Sequence, residues 1–465
     1  MDLKFLHRVY FLGAGGIGMS ALARYFKIIG LEVAGYDRTP TDLTRRLIAT
    51  GIDLHFEDDV DKIPSSFLDK MGTLVVYTPA IPSDHTELNF FKEKGYEIHK
   101  RSEVLGELTN SRKGIAVSGT HGKTTVSTMI AYLLDNSCLG CNAFLGGISK
   151  NFNSNLVLSA ESDYVVVEAD EFDRSFLQLF PSVTVVTAMD ADHLDVYRNK
   201  EELDASFNLF VNQTKPGGTI FHKKGLPVNI KADKNYRVMT YSLDEKADYY
   251  ADNINIQQGR YHFDLITPDR KIFDLEMRHP GLTNVENAVV AAAVADQLEI
   301  EEDYIRKALS TFEGNKRRFD IHINVPDLVY MDDYAHHPRE LDAVIGSVRD
   351  MYPGKKVTGV FQPHLYSRTR DFADEFARSL SQLDELILMD IYPARELPVK
   401  GVSSELIFNK VNLENKVLCS KNNLLGIIKD RNFDVLLTLG AGDIDQFVGP
   451  IKKMLNERIK TINLL

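Results

Sequence analysis

Cysteine is scarce, with three in 465 residues. No disulfide framework therefore holds this chain together, and a reducing cytoplasm is the expected compartment. Long apolar runs are missing too. None approaches the ~20 residues needed to cross a bilayer, so no membrane insertion is expected. Basic residues do not dominate: 54 Lys and Arg stand against 66 Asp and Glu, a net charge of -12. That balance argues against a nucleic-acid binder, which needs a basic face to neutralise phosphates. It also means that an anionic ligand must be drawn in by local cations, a metal or backbone N–H groups rather than by the overall field. The opening MDLKFLHRVYFLGAGG lacks the layout of a secretory leader, so none is expected. There is no G-x-S-x-G, no H-E-x-x-H and no cysteine in a reactive setting. Cys138 and Cys141 form a lone C-x-x-C, which reads as buried helix-end thiols rather than a zinc or redox site.

What is present is ordinary soluble composition, 44% hydrophobic and 26% charged, and a length that exceeds one core. At roughly 100–200 residues per domain, three domains are expected. The central signal is KGIAVSGTHGKTTVSTMIAYLL, Lys113 to Leu134. It reads as a short strand, a loop with Gly119, Thr120, His121 and Gly122, then Lys123-Thr124-Thr125 opening a helix with apolar residues at helical spacing. Glycines let backbone N–H groups turn toward an anion, the helix N-terminus adds partial positive charge, Lys123 reaches outer phosphates, and Thr124 holds Mg²⁺. A strict P-loop wants glycine at the position of Val117, so GTHGKTT is a shortened variant.

Upstream, Gly13-Ala14-Gly15-Gly16-Ile17-Gly18 follows an apolar strand from His7 to Leu12, and Asp37 ends the next strand. This is G-x-G-x-x-G between strand and helix, a seat for a diphosphate. Strand ends carrying Thr78, Ala80, Arg101 and Ser102 are expected on the same rim, with a solvated charge and a helix cap the alternative reading of Arg101 and Ser102. Downstream, Asp163–Val167 ends in Glu168-Ala169-Asp170-Glu171, and Pro181–Ala188 ends in Met189-Asp190-Ala191-Asp192-His193. Glu168 and His193 read as metal or substrate contacts, whereas Glu171, Asp190 and Asp192 are open to the plainer reading of surface acids. Thr283 with Glu286 reads as a capping box, Asn287 as a base contact or a solvated asparagine, and Gly314 to Asp320 as a hinge whose arginines reach an anion. Four strands beyond residue 328 end in polar tips that include Asp332-Asp333-Tyr334-Ala335-His336-His337 and His364-Leu365-Tyr366-Ser367-Arg368.

In order, GAGGIGMSALA, SGTHGKTT, VEADEFDRSFL, DADHLD, RRFD, DDYAHHP, FQPHLYSRTRDF, YPARE and GAGDI closely resemble the Mur ligases over nearly the whole chain. The resemblance implies three α/β domains: an N-terminal Rossmann-like domain (1–107) for a UDP-sugar, a central P-loop ATPase-type domain with a mostly parallel sheet (108–316) for ATP, and a C-terminal Rossmann-like domain (317–465) for an amino acid. It implies ATP-driven joining of L-alanine to the lactyl carboxylate of UDP-N-acetylmuramate through an acyl phosphate, with Mg²⁺ or alternatively Mn²⁺, by a monomer or weak homodimer. Carried over by residue, Lys123 contacts the transferring phosphate, and Thr124, Glu168 and His193 hold metal. The ATP loop runs from Gly119 to Thr125, Asn287 meets adenine, Asp332 the ribose, and Arg317 or Arg318 the phosphates. Gly13 to Gly18, Asp37, Thr78, Ala80, Arg101 and Ser102 serve the UDP-sugar. Tyr334, His336 and Arg368 surround the amino acid, with Arg368 on its carboxylate.

Two departures stand out: Thr283 where many members have histidine beside adenine, and Leu365 where many have arginine. No lysine matches the carbamylated lysine of other Mur ligases. The rival readings are a recycling ligase that adds a tripeptide to the same sugar, an NAD-dependent dehydrogenase read from the first domain alone, and a nucleotide-gated binding protein. Loss of turnover with an intact fold is the expectation for Lys123→Ala.

Overall fold

The structure, a computed structural model, describes residues 5–190, 197, 199–231, 234–257, 260–394 and 396–462. Three sheets follow one another along the chain. In the first, β1 (Arg8–Leu12), β2 (Glu32–Tyr36), β3 (Asp53–His55), β4 (Thr73–Tyr77) and β5 (Glu97–Lys100) run parallel in the order β3-β2-β1-β4-β5. Helices α1 (Ile17–Ile28), α2 (Asp42–Ala49), α3 (Thr86–Glu93) and α4 (Arg101–Asn110) connect and cover them. Val9 to Leu12 and Leu74 to Val76 are fully buried, the continuous apolar runs of strands covered on both faces. Strand order reverses beside β1, so the loops after β1 and β4 open a crevice at the carboxyl edge.

The second sheet contains β6 (Lys113–Ser118), β7 (Asn142–Ser149), β8 (Ser154–Val157), β9 (Tyr164–Ala169), β10 (Val183–Val186), β11 (Thr219–Lys223), β12 (Arg237–Ser242), β13 (Tyr249–Gln257), β14 (Arg260–Ile266) and β15 (Lys271–Met277), in the order β15-β14-β13-β12-β11-β10-β6-β9-β7-β8. Its helices are α5 (Lys123–Asp135), α6 (Lys200–Val211), α7 (Leu282–Gln297) and α8 (Glu302–Thr311). β6 lies parallel between β9 and β10. The strand that launches the phosphate loop therefore has an acid-bearing strand on one side and the Thr187-Ala188 loop on the other. α7 is buried from Ala288 to Ala295 on every side, as an all-apolar helix must be.

The third sheet has β16 (Asp320–Val325), β17 (Leu328–Asp333), β18 (Val357–Phe361), β19 (Glu385–Met389), β20 (Lys416–Cys419) and β21 (Val435–Leu439) in the order β16-β17-β21-β18-β19-β20. β16 is antiparallel to β17, and the other pairs are parallel. α9 (Pro338–Met351) and α10 (Tyr366–Asp371) follow β17 and β18.

Each sheet lies inside one of the three expected spans, with the 107/108 limit falling within α4. Two compact units result: residues 1–256, 262–278 and 285–313 form one, and 257–261, 279–284 and 314–465 the other. Within the first unit the N-terminal and central sheets share a core, in which Phe11, Phe26 and Phe144 belong to one apolar cluster with Phe176 and Phe207. The Tyr25 ring meets Phe144 edge-on at 5.6 Å. Among the described residues, no helix is long and apolar enough to cross a membrane.

Local readings differ from the structure at two places. Glu168, Asp332 and Asp333 sit inside β9 and β17 rather than beyond them, because parallel pairing continues past the apolar run. Thr283 with Glu286 is not a capping box: α7 already begins at Leu282, after Gly281 at φ +105°, and Glu286 accepts from Lys223 Nζ at 2.8 Å. The segment from Gly314 to Asp320 contains three positive-φ residues, Gly314, Arg317 and Phe319, a tight bend with local strain.

A buried polar cluster fills the N-terminal sheet. Tyr10 O–H donates to Glu87 Oε2 at 2.7 Å, the His55 ring meets the same hydroxyl at 2.8 Å, and Asp59 N–H donates to Glu87 Oε1 at 3.3 Å. Burial pushes the Glu87 carboxyl up to about 7, against the pull of Tyr10 and the Asp59 amide. A carboxyl raised this way holds its proton better in the native state than when unfolded. Its stabilisation is complete below the unfolded value near 4.5 and is lost as pH rises through 7. Burial pushes His55 and His85 down, which costs stability as pH falls below the ordinary imidazole range. Comparison with Glu87→Gln separates the two effects. Urea unfolding from pH 5 to 8 should show wild type losing on the order of 1–3 kcal/mol relative to the variant; parallel pH profiles would refute the assignment.

Candidate functional site

The phosphate loop leaves β6 and enters α5. Val117, where a longer loop would have glycine, is fully buried inside β6, so the strand simply runs further before turning. Gly119 has φ +135°, and a Cβ there would sit 2.1 Å from Thr187 Oγ1; Gly122 has φ +82° and caps α5. Thr120 N–H donates to the Ala188 carbonyl at 3.1 Å, and Thr120 Oγ1 accepts from Asp190 N–H at 3.1 Å. His121 Nε2 lies 3.6 Å from Asp190 Oδ2. Thr125 is buried on the first turn of α5. The loop is thus pinned from β10's exit.

Lys123 Nζ donates to the Gly119 carbonyl at 2.6 Å and to both carboxylate oxygens of Glu171 at 2.9 Å. Glu171 is fully buried, and its own carbonyl accepts from Tyr197 O–H at 2.6 Å. Burial disfavours the ammonium charge, but Glu171, Asp170 and Glu168 outweigh it and leave Lys123 well above the ordinary lysine range. The surface-acid reading of Glu171 is therefore corrected: it is the lysine's buried counter-ion, and a polar run in sequence gave no sign of that. Asp190 belongs to the loop as well. Thr124 O–H donates to Glu168 Oε2 at 2.9 Å. Hydroxyl beside carboxylate at a phosphate loop is a hard-oxygen donor set of the kind Mg²⁺ takes. Among the described residues no three His, Cys, Asp or Glu side chains cluster as a self-sufficient metal site. His193 and Asp192 lie outside the described residues. Asn287, buried on α7, places Oδ1 3.1 Å from where a Cβ on Gly122 would stand, beside the loop.

Two further glycines matter here. A Cβ on Gly146 in β7 would lie 1.8 Å from Glu168 Oε2; sequence reasoning missed this position, which carries no motif. At the other rim, Gly13 has φ +88° and faces Thr78, whose Cγ2 would lie 2.6 Å from an added Cβ. Gly15 N–H donates to Asp37 Oδ2 at 2.6 Å, and Thr39 N–H to Asp37 Oδ1 at 3.0 Å. Asp37 accordingly buttresses the glycine loop with one oxygen and the turn after β2 with the other. Ala14 is buried, Gly16 precedes α1 without a side-chain cap, and Ile17 and Gly18 form its first turn. Arg101 covers Gly18, its Nη1 2.5 Å from where a Cβ would be, while Ser102 is buried in α4 and Ala80 half-buried beyond β4.

In the second unit, Tyr334, His336 and Arg368 come together. The Tyr334 ring stands 5.1 Å from His336, with the guanidinium carbons of Arg318 and Arg317 at 4.9 Å and 5.3 Å above it. His336 Nδ1 meets the Tyr334 carbonyl at 2.9 Å and Glu340 Oε2 at 3.2 Å. Burial pushes His336 down to about 4; Glu340 opposes this and the Arg368 charge assists it. The imidazole is therefore neutral near pH 7. Asp333 accepts from the Phe319 and Ala335 N–H groups, and burial pushes it up to about 6 against Arg318 and those amides. Asp332 is fully buried, accepting from Arg317 Nε at 3.1 Å and Thr438 O–H at 2.6 Å. Asp332 thus holds Arg317, whose Nη2 also donates to the Gly440 carbonyl at 2.5 Å. Leu365, the departure beside His364, sits at φ +70°, a strained conformation for a branched residue. Cys141 is buried and Cys138 exposed.

Comparison with known proteins covers the chain from end to end. Family models match in order: the Mur ligase family catalytic domain over residues 8–113, the Mur ligase middle domain over 117–295, and the Mur ligase glutamate ligase domain over 317–442. A UDP-N-acetylmuramate–L-alanine ligase of Parabacteroides distasonis is 51% identical over 99% of this chain and 100% of its own. Proteins of that name from Porphyromonas gingivalis W83 (97% of this chain, 99% of its own) and Flavobacterium psychrophilum (98% and 100%) are 50% and 48% identical. Among solved structures, a UDP-N-acetylmuramate–alanine ligase of Thermotoga maritima superposes with TM-score 0.81 at 24% identity, covering 98% of this chain and 99% of that one. A murein peptide ligase of Psychrobacter arcticus gives 0.69 at 21%, covering 97% and 98%. At these identities the structural likeness establishes the fold.

Proposed function

We propose a function on one premise: the chain belongs to the Mur ligase family. It is an ATP-dependent ligase that joins L-alanine to the lactyl carboxylate of UDP-N-acetylmuramate, releasing ADP and phosphate. The full-length, half-identical relatives that bear this activity's name carry the reading, and the Lys123–Thr124–Glu168 arrangement supplies its physical basis.

A carboxylate does not acylate an amine at neutral pH because its leaving group would be oxide. In the first step a lactyl carboxylate oxygen attacks the γ-phosphorus, the bond to the β–γ bridging oxygen breaks, and ADP leaves with an acyl phosphate behind. The alanine nitrogen then attacks the acyl carbon, loses its proton, and the tetrahedral intermediate expels phosphate. Lys123 exchanges Glu171 for the γ-phosphoryl oxygens, and the α5 N-terminus faces the same charge. Thr124, Glu168 and His193 would hold Mg²⁺, which supplies charge neutralisation between two anions. The GAGGIG loop, steadied by Asp37, takes the UDP diphosphate, and Asn287 the adenine. Arg368 takes the alanine carboxylate. His336, neutral and held at Nδ1 by the Tyr334 carbonyl and Glu340, lines the alanine site beside Tyr334. Use of ATP and a nucleotide sugar supports a cytoplasmic reaction.

A panel of amino acids and a tripeptide, assayed for phosphate release with ATP and UDP-N-acetylmuramate, checks the assignment. L-Alanine should give the highest kcat/KM. Preference for the tripeptide would assign the chain to the recycling ligases instead, and phosphate release indifferent to any amino acid would remove the ligase reading.

A further inference from the structure

A cavity of about 240 Å³ lies between helices α1 and α2 of the N-terminal sheet and the β7–β8 hairpin of the central one. Its polar lining is Ser20, Arg24, Arg46, Thr50, Asn153 and Asn155, with an apolar wall that includes Leu47 and Ile148. No carboxylate lines it. Arg24 is half-buried and uses Nη1 on Ser154 Oγ at 2.9 Å and Asn155 Oδ1 at 3.3 Å. Its Nε and Nη2, and the whole guanidinium of the exposed Arg46, have no ion-pair or hydrogen-bond partner among the described residues. The two cations also work against each other, since burial and then the Arg46 charge lower the proton affinity of Arg24.

In a chain of net charge -12, two guanidiniums in one acid-free cavity form a local positive site. Forked N–H donors beside hydroxyl and amide groups match the tetrahedral oxygens of a phosphate, and an anion between them would relieve like-charge repulsion. We propose that this cavity binds a phosphate group, free or carried on a small metabolite whose carbon part rests on the Leu47 and Ile148 wall.

Such an anion would act on α1 at a sensitive place. Asn155 Nδ2 donates to the Ile17 carbonyl at 2.6 Å and to Ser20 Oγ at 3.0 Å, so the same hairpin already grips the first turn of α1. A bound phosphate would tie α1 and α2 more firmly to β8. It would raise the unfolding temperature by mass action.

The test titrates full-length protein calorimetrically with inorganic phosphate and, separately, with glycerol 3-phosphate. Excess non-hydrolysable ATP analogue and UDP keep the two nucleotide sites filled. Wild type should bind one equivalent saturably. Arg46→Gln, a change on an exposed helix face, should weaken binding about tenfold or more, the loss of charge-assisted hydrogen bonds. Tighter binding of glycerol 3-phosphate than of phosphate assigns the site to a metabolite, and equal or weaker binding to the free ion. An absence of saturable binding overturns the proposal. So does binding that Arg46→Gln and Arg24→Gln both leave unchanged.

Discussion

Lys123→Ala should abolish phosphate release and also destabilise the protein by about 3–5 kcal/mol, because it leaves the Glu171 carboxylate buried without its partner. The sequence alone suggests a purely catalytic loss with the fold intact. The structure changes that expectation: Glu171 is fully buried and bound through both oxygens to Lys123. A double variant, Lys123→Met with Glu171→Gln, removes both charges while keeping similar volume. It should recover most of the stability in urea unfolding and remain inactive. Wild-type turnover by Lys123→Ala would sink the phosphate role. A double variant no more stable than Lys123→Ala would sink the counter-ion role.

The second large effect is expected at a residue with no chemistry of its own. Gly146→Ala should lower kcat/KM by about 10²-fold with little change in unfolding temperature, the cost of misplacing a catalytic group by about an ångström. An added methyl would stand 1.8 Å from Glu168 Oε2 and 2.5 Å from its Cδ, so the carboxylate must swing away from Thr124. Gly146 has no positive φ, and the backbone accepts alanine without strain. The readout that distinguishes a displaced metal ligand from general damage is the Mg²⁺ dependence. The half-saturating Mg²⁺ concentration should rise, and excess Mg²⁺ should recover part of the rate. An unchanged Mg²⁺ requirement with unchanged kcat/KM would refute the link.

Both predictions rest on contacts that span the chain, and this is where the sequence was hardest to read. The strand–glycine–helix units were legible because they are local: a left-handed glycine, a helix N-terminus and a lysine lie within a few residues of one another, as at Gly119 to Lys123. β1, β2 and β4 of the N-terminal sheet and β18 and β21 were legible because buried parallel strands are mostly apolar runs. One acid was misjudged: Glu171 looked like one of a surface run and is fully buried against Lys123. Thr283 and Glu286 matched a capping spacing, yet α7 starts one residue before Thr283 and Lys223 takes Glu286.

By itself, then, the sequence determined the three successive α/β sheets, the two glycine loops between strand and helix, and the family to which their motifs belong. All of these are written in short-range patterns of φ preference, apolar periodicity and residue order. The tertiary structure alone decided which charges are buried, which are paired and where space remains. Lys123 meets Glu171 across 48 positions, and Arg24 reaches Asn155 across 131. The energy of a charge depends on its surroundings in space, and neighbours in the chain do not specify those surroundings.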